Sequence, residues 1–261
     1  MTDNSLLSRL FDLDGRQALV TGSSRGLGAV MATGLAEAGA RVVLHGRDPG
    51  QLAVTADLIT QRTGTRPGTV SFDVTDPAAV AAGINELVDS HGIPDILVNN
   101  AGIQRRAPIA EFDTADWDDV IASNLSSAFY VTRGFLPGMV SRGSGKIINI
   151  ASVQSQLARQ TIAPYSASKG GLVMLTKGMA ADLARHNIQV NALSPGYFAT
   201  EMNTALTQNE EFSAWVRQRT PAGRWGRVDE LIGTLIYLAS DASSFVSGQN
   251  IFVDGGMTAV V

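Results

Sequence analysis

The 261-residue sequence predicts an α/β fold in which one doubly wound, parallel sheet carries helices on both faces. Three observations support that class. Apolar runs of strand length alternate with helical patterns along the chain. The runs are apolar throughout rather than at every second residue, as in strands buried on both faces. The first run passes through a glycine-rich turn straight into a helix, which is how a βαβ unit with a right-handed crossover begins.

The first strand is "QALVTG", and the helical "LGAVMATGLAEAGA" after it stops at Gly39. "RVVLHG" is the second strand, and "DPGQLAVTADLITQRTG" the helix that returns from it. "GTVSFDV" gives a third strand ending at Asp73 and Val74, followed by the helix "DPAAVAAGINELVDSHG" and the fourth strand "PDILVNNAG". "KIINIAS", "NIQVNALSPG" and "QNIFVDGG" complete about seven strands. Residues 196–226 are longer than an ordinary connection; two short helices and the turn-rich "RTPAGRWG" mark them as a lid inserted in a single domain spanning 1–261.

Composition narrows the function classes. A hydrophobic content of 44% with 17% charged residues is that of a soluble globular chain. No apolar run reaches membrane-spanning length, and the first residues include acids where a secretory signal would be basic and then apolar. The absence of cysteine excludes disulfides and thiolate chemistry and fits a cytoplasmic protein. A net charge of −4 without a basic block argues against nucleic acid or an anionic membrane as partner. His45, His91 and His186 are too scattered for a metal cluster, so no metal site is expected and each reads as a solvated or capped histidine.

The turn "TGSSRGLG" carries glycines at 22, 26 and 28. They permit a tight turn, close approach of backbone to a pyrophosphate, and close helix–sheet contact, while the helix N-terminus offers free N–H groups to phosphate. Gly22, Ser24, Arg25, Gly26, Leu27 and Gly28 are therefore expected to bind a dinucleotide. NAD would call for a carboxylate at the end of the second strand; here stand Gly46 and Arg47. Arg25 and Arg47 together suit a 2′-phosphate, so NADP (NADPH) is expected, with NAD the weaker alternative. Asp73 and Val74 are placed to reach the adenine edge, and "NNAG", with Asn100, Ala101 and Gly102, to line the cleft.

In "APYSASKGG", Tyr165 and Lys169 share a helix face one turn apart. An ammonium at that distance favours the phenolate and moves a weak acid toward proton-transfer work. Lys169 is one of only three lysines against seventeen arginines. Lys146 and Lys177 read as solvated charges.

With "TGSSRGLG", "NNAG", the Asn of "ASNLSSAF", the Ser of "NIAS", "YSASK" and "SPG" in this order, the chain resembles the short-chain dehydrogenase/reductase family from about Leu13 to Gly256. The resemblance implies a Rossmann-type sheet with strand order 3-2-1-4-5-6-7, a proton-relay tetrad of Asn124, Ser152, Tyr165 and Lys169, and a homotetramer with helices near 104–140 and 164–185 between subunits. Asn124 would anchor a water linking Lys169 to solvent, Ser152 would orient the substrate oxygen, and Lys169 would also hold the nicotinamide ribose. Pro195, Gly196 and Thr200 would meet the nicotinamide end.

Four longer stretches, "NNAGIQRRAPIAEF", "LARHNIQVNALSPGYFATEM", "RTPAGRWG" and "FVDGGM", are similar to those of family members that interconvert D-gluconate and its 5-keto form. A small-molecule substrate with a carboxylate needs a cationic partner near Tyr165. Arg105, Arg106 and Arg159 stand where they could meet it, with Arg105 and Arg159 taken as substrate contacts beside Ser152 and Tyr165. A 3-oxoacyl-thioester reductase, another sugar or polyol ketoreductase, and a non-enzymatic dinucleotide-binding redox sensor are the alternatives.

Overall fold

Seven parallel strands form one sheet in the order β3-β2-β1-β4-β5-β6-β7. They are β1 (Gln17–Val20), β2 (Arg41–His45), β3 (Gly68–Val70), β4 (Ile96–Asn99), β5 (Gly145–Ile150), β6 (Ile188–Pro195) and β7 (Asn250–Val253). The coordinates are a computed structural model that describes residues 6–200 and 204–260. The order is the expected one, and β1 and β4 pair at the point where it reverses.

Successive residues of each strand enter different cores, the two-residue period of an extended chain. Ala18, Val20, Val42 and Leu44 join Met31, Leu35, Leu235 and Leu238 on one face. Leu19 and Val43 join Val80, Ile84, Leu87, Phe135 and Met139 on the other. The first face is covered by α2 (Gly26–Glu37), α3 (Pro49–Thr63) and α10 (Ile232–Ala239). The second is covered by α4 (Pro77–His91), α6 (Ser127–Arg142) and α7 (Ala163–Leu183). Leu19 and Val20 are fully buried, and each such side chain stabilises the fold by about 1.5–3 kcal/mol. Of the remaining helices, α1 (Leu6–Phe11) precedes the sheet, α5 (Thr114–Ile121) leads through a π-helical turn into α6, and α8 (Thr204–Thr207) and α9 (Glu210–Arg219) lie in the excursion after β6. No helix among the described residues is long and apolar enough to cross a membrane.

Helix boundaries follow local chemistry. Asp48 caps α3 by accepting from the N–H groups of Gly50 and Gln51, Pro49 follows at the first helical position, and Gly64 ends the helix with φ 76°. Asp76, Pro77 and Gly92 repeat the scheme around α4.

Three expectations are corrected. β3 stops at Val70, short of Asp73 and Val74. The Asp73 carboxylate accepts from both the backbone N–H and the hydroxyl of Thr75, at 2.9 and 2.7 Å, a local alternative to ladder pairing. Lys146 is not solvated: it is 4% exposed and its ammonium donates to Ser243 Oγ at 3.2 Å. Burial lowers its pKa to about 8. His45 is 2% exposed at the end of β2.

Residues 196–226 leave and return through a short parallel pair, Phe198–Ala199 with Gly226–Arg227. Both expected helices are present as α8 and α9, and residues 201–203 of this segment lie outside the described residues.

A buried polar row ties the second layer to the sheet. Asn99 Nδ2 donates to Thr132 Oγ1 and to Asn149 Oδ1 at 3.0 and 2.8 Å, and Asn149 Nδ2 donates to Thr176 Oγ1 at 2.8 Å. Asn149→Ala removes the middle of the row and strands groups that water cannot reach. Denaturant unfolding should show a loss of about 1–3 kcal/mol.

Candidate active site

A cleft of about 660 Å³ opens over the carboxyl ends of the central strands, the position where open α/β sheets take ligands. It is lined by every site residue expected from the sequence except Gly26 and Asn124. Gly26 lies in the turn with φ 60°, and Asn124 lies in the π-helical turn Ala122–Ser126.

The floor is the glycine turn. Gly22 has φ 64°. A Cβ on Gly28 would lie 2.2 Å from the Gly22 carbonyl oxygen and 2.5 Å from Asn100 Nδ2, so no larger residue fits. Asn100 Nδ2 donates to the carbonyls of Thr21 and Gly22, at 2.8 and 3.0 Å. Thr21 Oγ1 accepts from the N–H groups of Asn100 and Ala101, at 2.9 and 3.0 Å. The second Asn of "NNAG" thus clasps the turn from the neighbouring strand. Arg25, at the N-cap of α2, makes no side-chain cap bond, which leaves the first N–H groups of the helix available to an anion.

At one end of the cleft, Gly46 follows β2 where a carboxylate would otherwise stand, Arg25 is exposed, and Arg47 Nη1 lies 3.6 Å from Asp73. At the other end stand Ser152, Tyr165 and Lys169. Lys169 Nζ donates to the Ile150 carbonyl at 2.6 Å and sits 5.7 Å from the centre of the Tyr165 ring. Burial lowers the Lys169 pKa to about 8. The Tyr165 phenol moves the other way from the sequence expectation: burial raises its pKa, and a hydrogen bond with Ser152 and the charge of Arg106 only partly oppose this. Arg106 adds a positive charge that lowers the phenol pKa, a smaller effect than burial, and the Lys169 ammonium is held against the Ile150 carbonyl.

Asn124 is 1% exposed. Its Oδ1 accepts from Ile103 N at 2.7 Å, and its Nδ2 donates to Ile103 O and Ser168 Oγ at 2.9 and 3.1 Å. Both amide hydrogens are engaged, so this side chain joins the loop after β4 to the helix bearing Tyr165 and Lys169. π-Turns of this kind recur at functional sites.

The three arginines separate. Arg105 is held by Asp116 at 3.1 Å and approaches Asp119 at 4.0 Å. Among the described residues Arg106 is held by the neutral Gln104 Oε1, at 3.2 and 2.8 Å, and burial and then the nearby charge of Arg159 lower its pKa. The Arg159 guanidinium lies 5.2 Å from the centre of the Phe212 ring, and its Nε is buried without a partner. The loops carrying these two arginines are joined where Ala107 N donates to Thr161 O at 3.1 Å. Thr161 has φ 68°, a conformation that costs a β-branched residue about 1–2 kcal/mol. Gln154 adds a buried Oε1 without a partner, and its amide nitrogen lies 3.4 Å from Tyr197 Oη. Tyr197 packs edge-on against Phe212, Trp215 and Trp225 with ring centres 5.6–5.8 Å apart. Phe198, by contrast, is 5% exposed and contributes to the core.

Similarity to known proteins agrees with this geometry. The family described as Enoyl-(Acyl carrier protein) reductase matches residues 22–258. A gluconate 5-dehydrogenase of Gluconobacter oxydans (strain 621H) is 53% identical over 249 residues, 95% of this chain and 97% of the relative. The chain belongs to the short-chain dehydrogenase/reductase family.

A 5-keto-D-gluconate 5-reductase of Escherichia coli (strain K12) is 46% identical over 98% of this chain and all of the relative. A solved gluconate 5-dehydrogenase from Burkholderia cenocepacia J2315, in complex with NADP and tartrate, is 54% identical, covers 98% of this chain and 100% of its own, and superposes with a TM-score of 0.94. Membership of this family makes the chain an oxidoreductase acting on CH–OH groups. Sequence reasoning passed over Gln154 and His45. The polar residue two after Ser152 was a signal for the first; nothing in the sequence showed that the second turns inward.

Gly28→Ala should remove dinucleotide binding, measured by calorimetry, while far-ultraviolet dichroism keeps the α/β signature, because the added methyl meets the backbone of the cofactor turn and not the sheet.

Proposed function

We propose that this chain interconverts D-gluconate and 5-dehydro-D-gluconate with NADP. The observation that carries the reading is the pair Arg106 and Arg159, two guanidinium groups that share the Tyr165 cleft and, among the described residues, form no ion pair with a carboxylate. Arg106 is exposed and Arg159 partly buried; like charges brought together favour an anion, and a guanidinium meets a carboxylate in a forked geometry. The relatives named for gluconate, and a neighbour holding tartrate, a hydroxy acid with carboxylates, support the same chemistry. Arg105, committed to Asp116, is replaced by Arg106 in this assignment.

The residues present fit a dinucleotide, since Gly28 has no room for a Cβ and the α2 N-terminus is uncapped by a side chain. Arg25 and Arg47 would hold a 2′-phosphate, and the absence of an acid at Gly46 removes the partner that NAD would use. Solved neighbours bound to NADP support that preference. Lys169 and Thr200 would reach the nicotinamide end. Once bound, the cofactor supplies the hydride donor or acceptor.

The protein's own part is proton transfer and positioning. In reduction, the neutral Tyr165 phenol gives its proton to the ketone oxygen as charge gathers there, and Ser152 donates a second hydrogen bond to that oxygen. In oxidation, Tyr165 must first lose its proton, which burial opposes. Arg106 and Arg159 hold the carboxylate, Gln154 Oε1 accepts from a hydroxyl of the chain, and Tyr197 with α9 covers the site and excludes water. Trp117, Phe129 and Met174, 42%, 44% and 62% exposed on α5, α6 and α7, support assembly with further copies of the chain.

A 3-oxoacyl-thioester reductase would use the same tyrosine but has no use for paired arginines beside it. A panel of 5-ketogluconate, a neutral ketose and acetoacetyl thioester with NADPH separates the readings: preference for the thioester would overturn ours. Tyr165→Phe should lower kcat by about 10²–10⁴-fold, the usual worth of a general acid, with NADP still bound. Arg106→Ala should raise KM for 5-ketogluconate at least about ten-fold, the loss of one charge-assisted contact, and leave neutral ketoses unaffected; Arg105→Ala should change neither. Because the phenol pKa is raised, kcat/KM for oxidation should climb through the alkaline range, whereas reduction persists at neutral pH.

A further inference from the structure

His45 is the buried titratable group that the proposed mechanism leaves unused. Its Nδ1 accepts from Gly22 N–H at 3.3 Å, and its Nε2–H donates to the Phe72 carbonyl at 3.1 Å. The ring packs against Phe72 with centres 4.2 Å apart. Its backbone is bound to the same turn: His45 N donates to Ser23 Oγ at 2.9 Å, and Ser23 N donates to His45 O at 2.9 Å. One residue therefore joins the glycine turn after β1, the end of β2 that leads to Arg47, and the loop after β3 that leads to Asp73. These are the three walls of the cleft at its adenosine end.

We propose that His45, as the neutral Nε2–H imidazole, is a positioning residue that sets the spacing of the NADP adenosine subsite. This rests on the reading that the cleft takes NADP. An apolar ring of the same size would fill the volume yet leave the Gly22 N–H and the Phe72 C=O without partners. A protonated imidazole would turn a second N–H toward the Gly22 N–H and lose that bond. Burial favours the neutral form, with its pKa lowered to about 4. The charged group acting on the ring is Asp73, which in turn faces Arg47.

The variants separate the two bonds. Asn places an oxygen near the position of Nδ1, Gln a nitrogen near that of Nε2, and Phe keeps only the ring. Calorimetry with NADP+ on the full chain should give a Kd about ten-fold or more higher for His45→Phe, the loss of two modest hydrogen bonds. His45→Asn and His45→Gln should fall between it and the wild type, and they carry the test if His45→Phe does not fold. KM for NADPH should rise in step while kcat at saturating NADPH changes less than about two-fold, as expected when only cofactor binding is weakened. With ¹⁵N-labelled histidine, the signal lost in His45→Asn should be that of a neutral Nε2–H ring at pH 6 in the free protein.

A Kd within two-fold of wild type in all three variants, or a protonated or Nδ1–H ring at pH 6, overturns the proposal. Failure of the wild type to bind NADP+ overturns the cofactor reading instead, and the ¹⁵N spectrum still judges the tautomer.

Discussion

The site depends on how closely the turn after β1 approaches the loop after β4. Two strands that pair side by side must send their chains apart at the same level, and the gap between them is the cleft. Gly28 lets the α2 backbone come down onto the Gly22 carbonyl, and Asn100 and Thr21 bond the two strand ends across the gap. A side chain at Gly28 would force these segments apart and carry away the phosphate-facing helix end. Everything else in the cleft is placed relative to this contact: Ala101 and Gly102 follow directly, and Asn124 holds the continuation of that loop to α7.

Burial organises the electrostatics. It pushes Lys169, Lys146 and His45 toward their neutral forms and holds Tyr165 protonated. With pKa values of about 8, Lys169 and Lys146 still carry most of their charge at neutral pH, and the arginines add a positive charge that does not titrate. Groups that can exchange a proton suit an oxidoreductase acting on CH–OH groups. Arg106, which arrives from another strand's loop, also acts on the phenol and lowers its pKa against the larger effect of burial.

The excursion after β6 and the arginine loops form a second layer over this base. Thr161, in a backbone conformation unusual for its type, turns the loop that bears Arg159 toward Ala107 and so toward Arg106. Phe212 from α9 stacks on Arg159, and Tyr197 joins the same aromatic group. The outer side chains of the cleft therefore come from three separate segments, whereas Ser152, Tyr165 and Lys169 come from the end of β5 and from α7. This separation allows one family scaffold to serve different substrates.

The sequence by itself determined the strand and helix runs, the glycine turn, the two helices after β6 and the tyrosine–lysine helix, because each rests on local rules; the sheet order followed from the family resemblance. Those rules are the uninterrupted apolar runs of strands buried on both faces, the backbone freedom of glycine and the four-residue spacing of a helix face. Only the tertiary structure decided that Arg105 meets an acid and Arg106 a neutral amide, since the two are neighbours in the chain and differ only in what lies opposite. It also decided the depth of His45 and Lys146 and the sign of the Tyr165 shift. A pKa depends on solvent and charge brought from distant segments, and no short stretch of sequence contains that information.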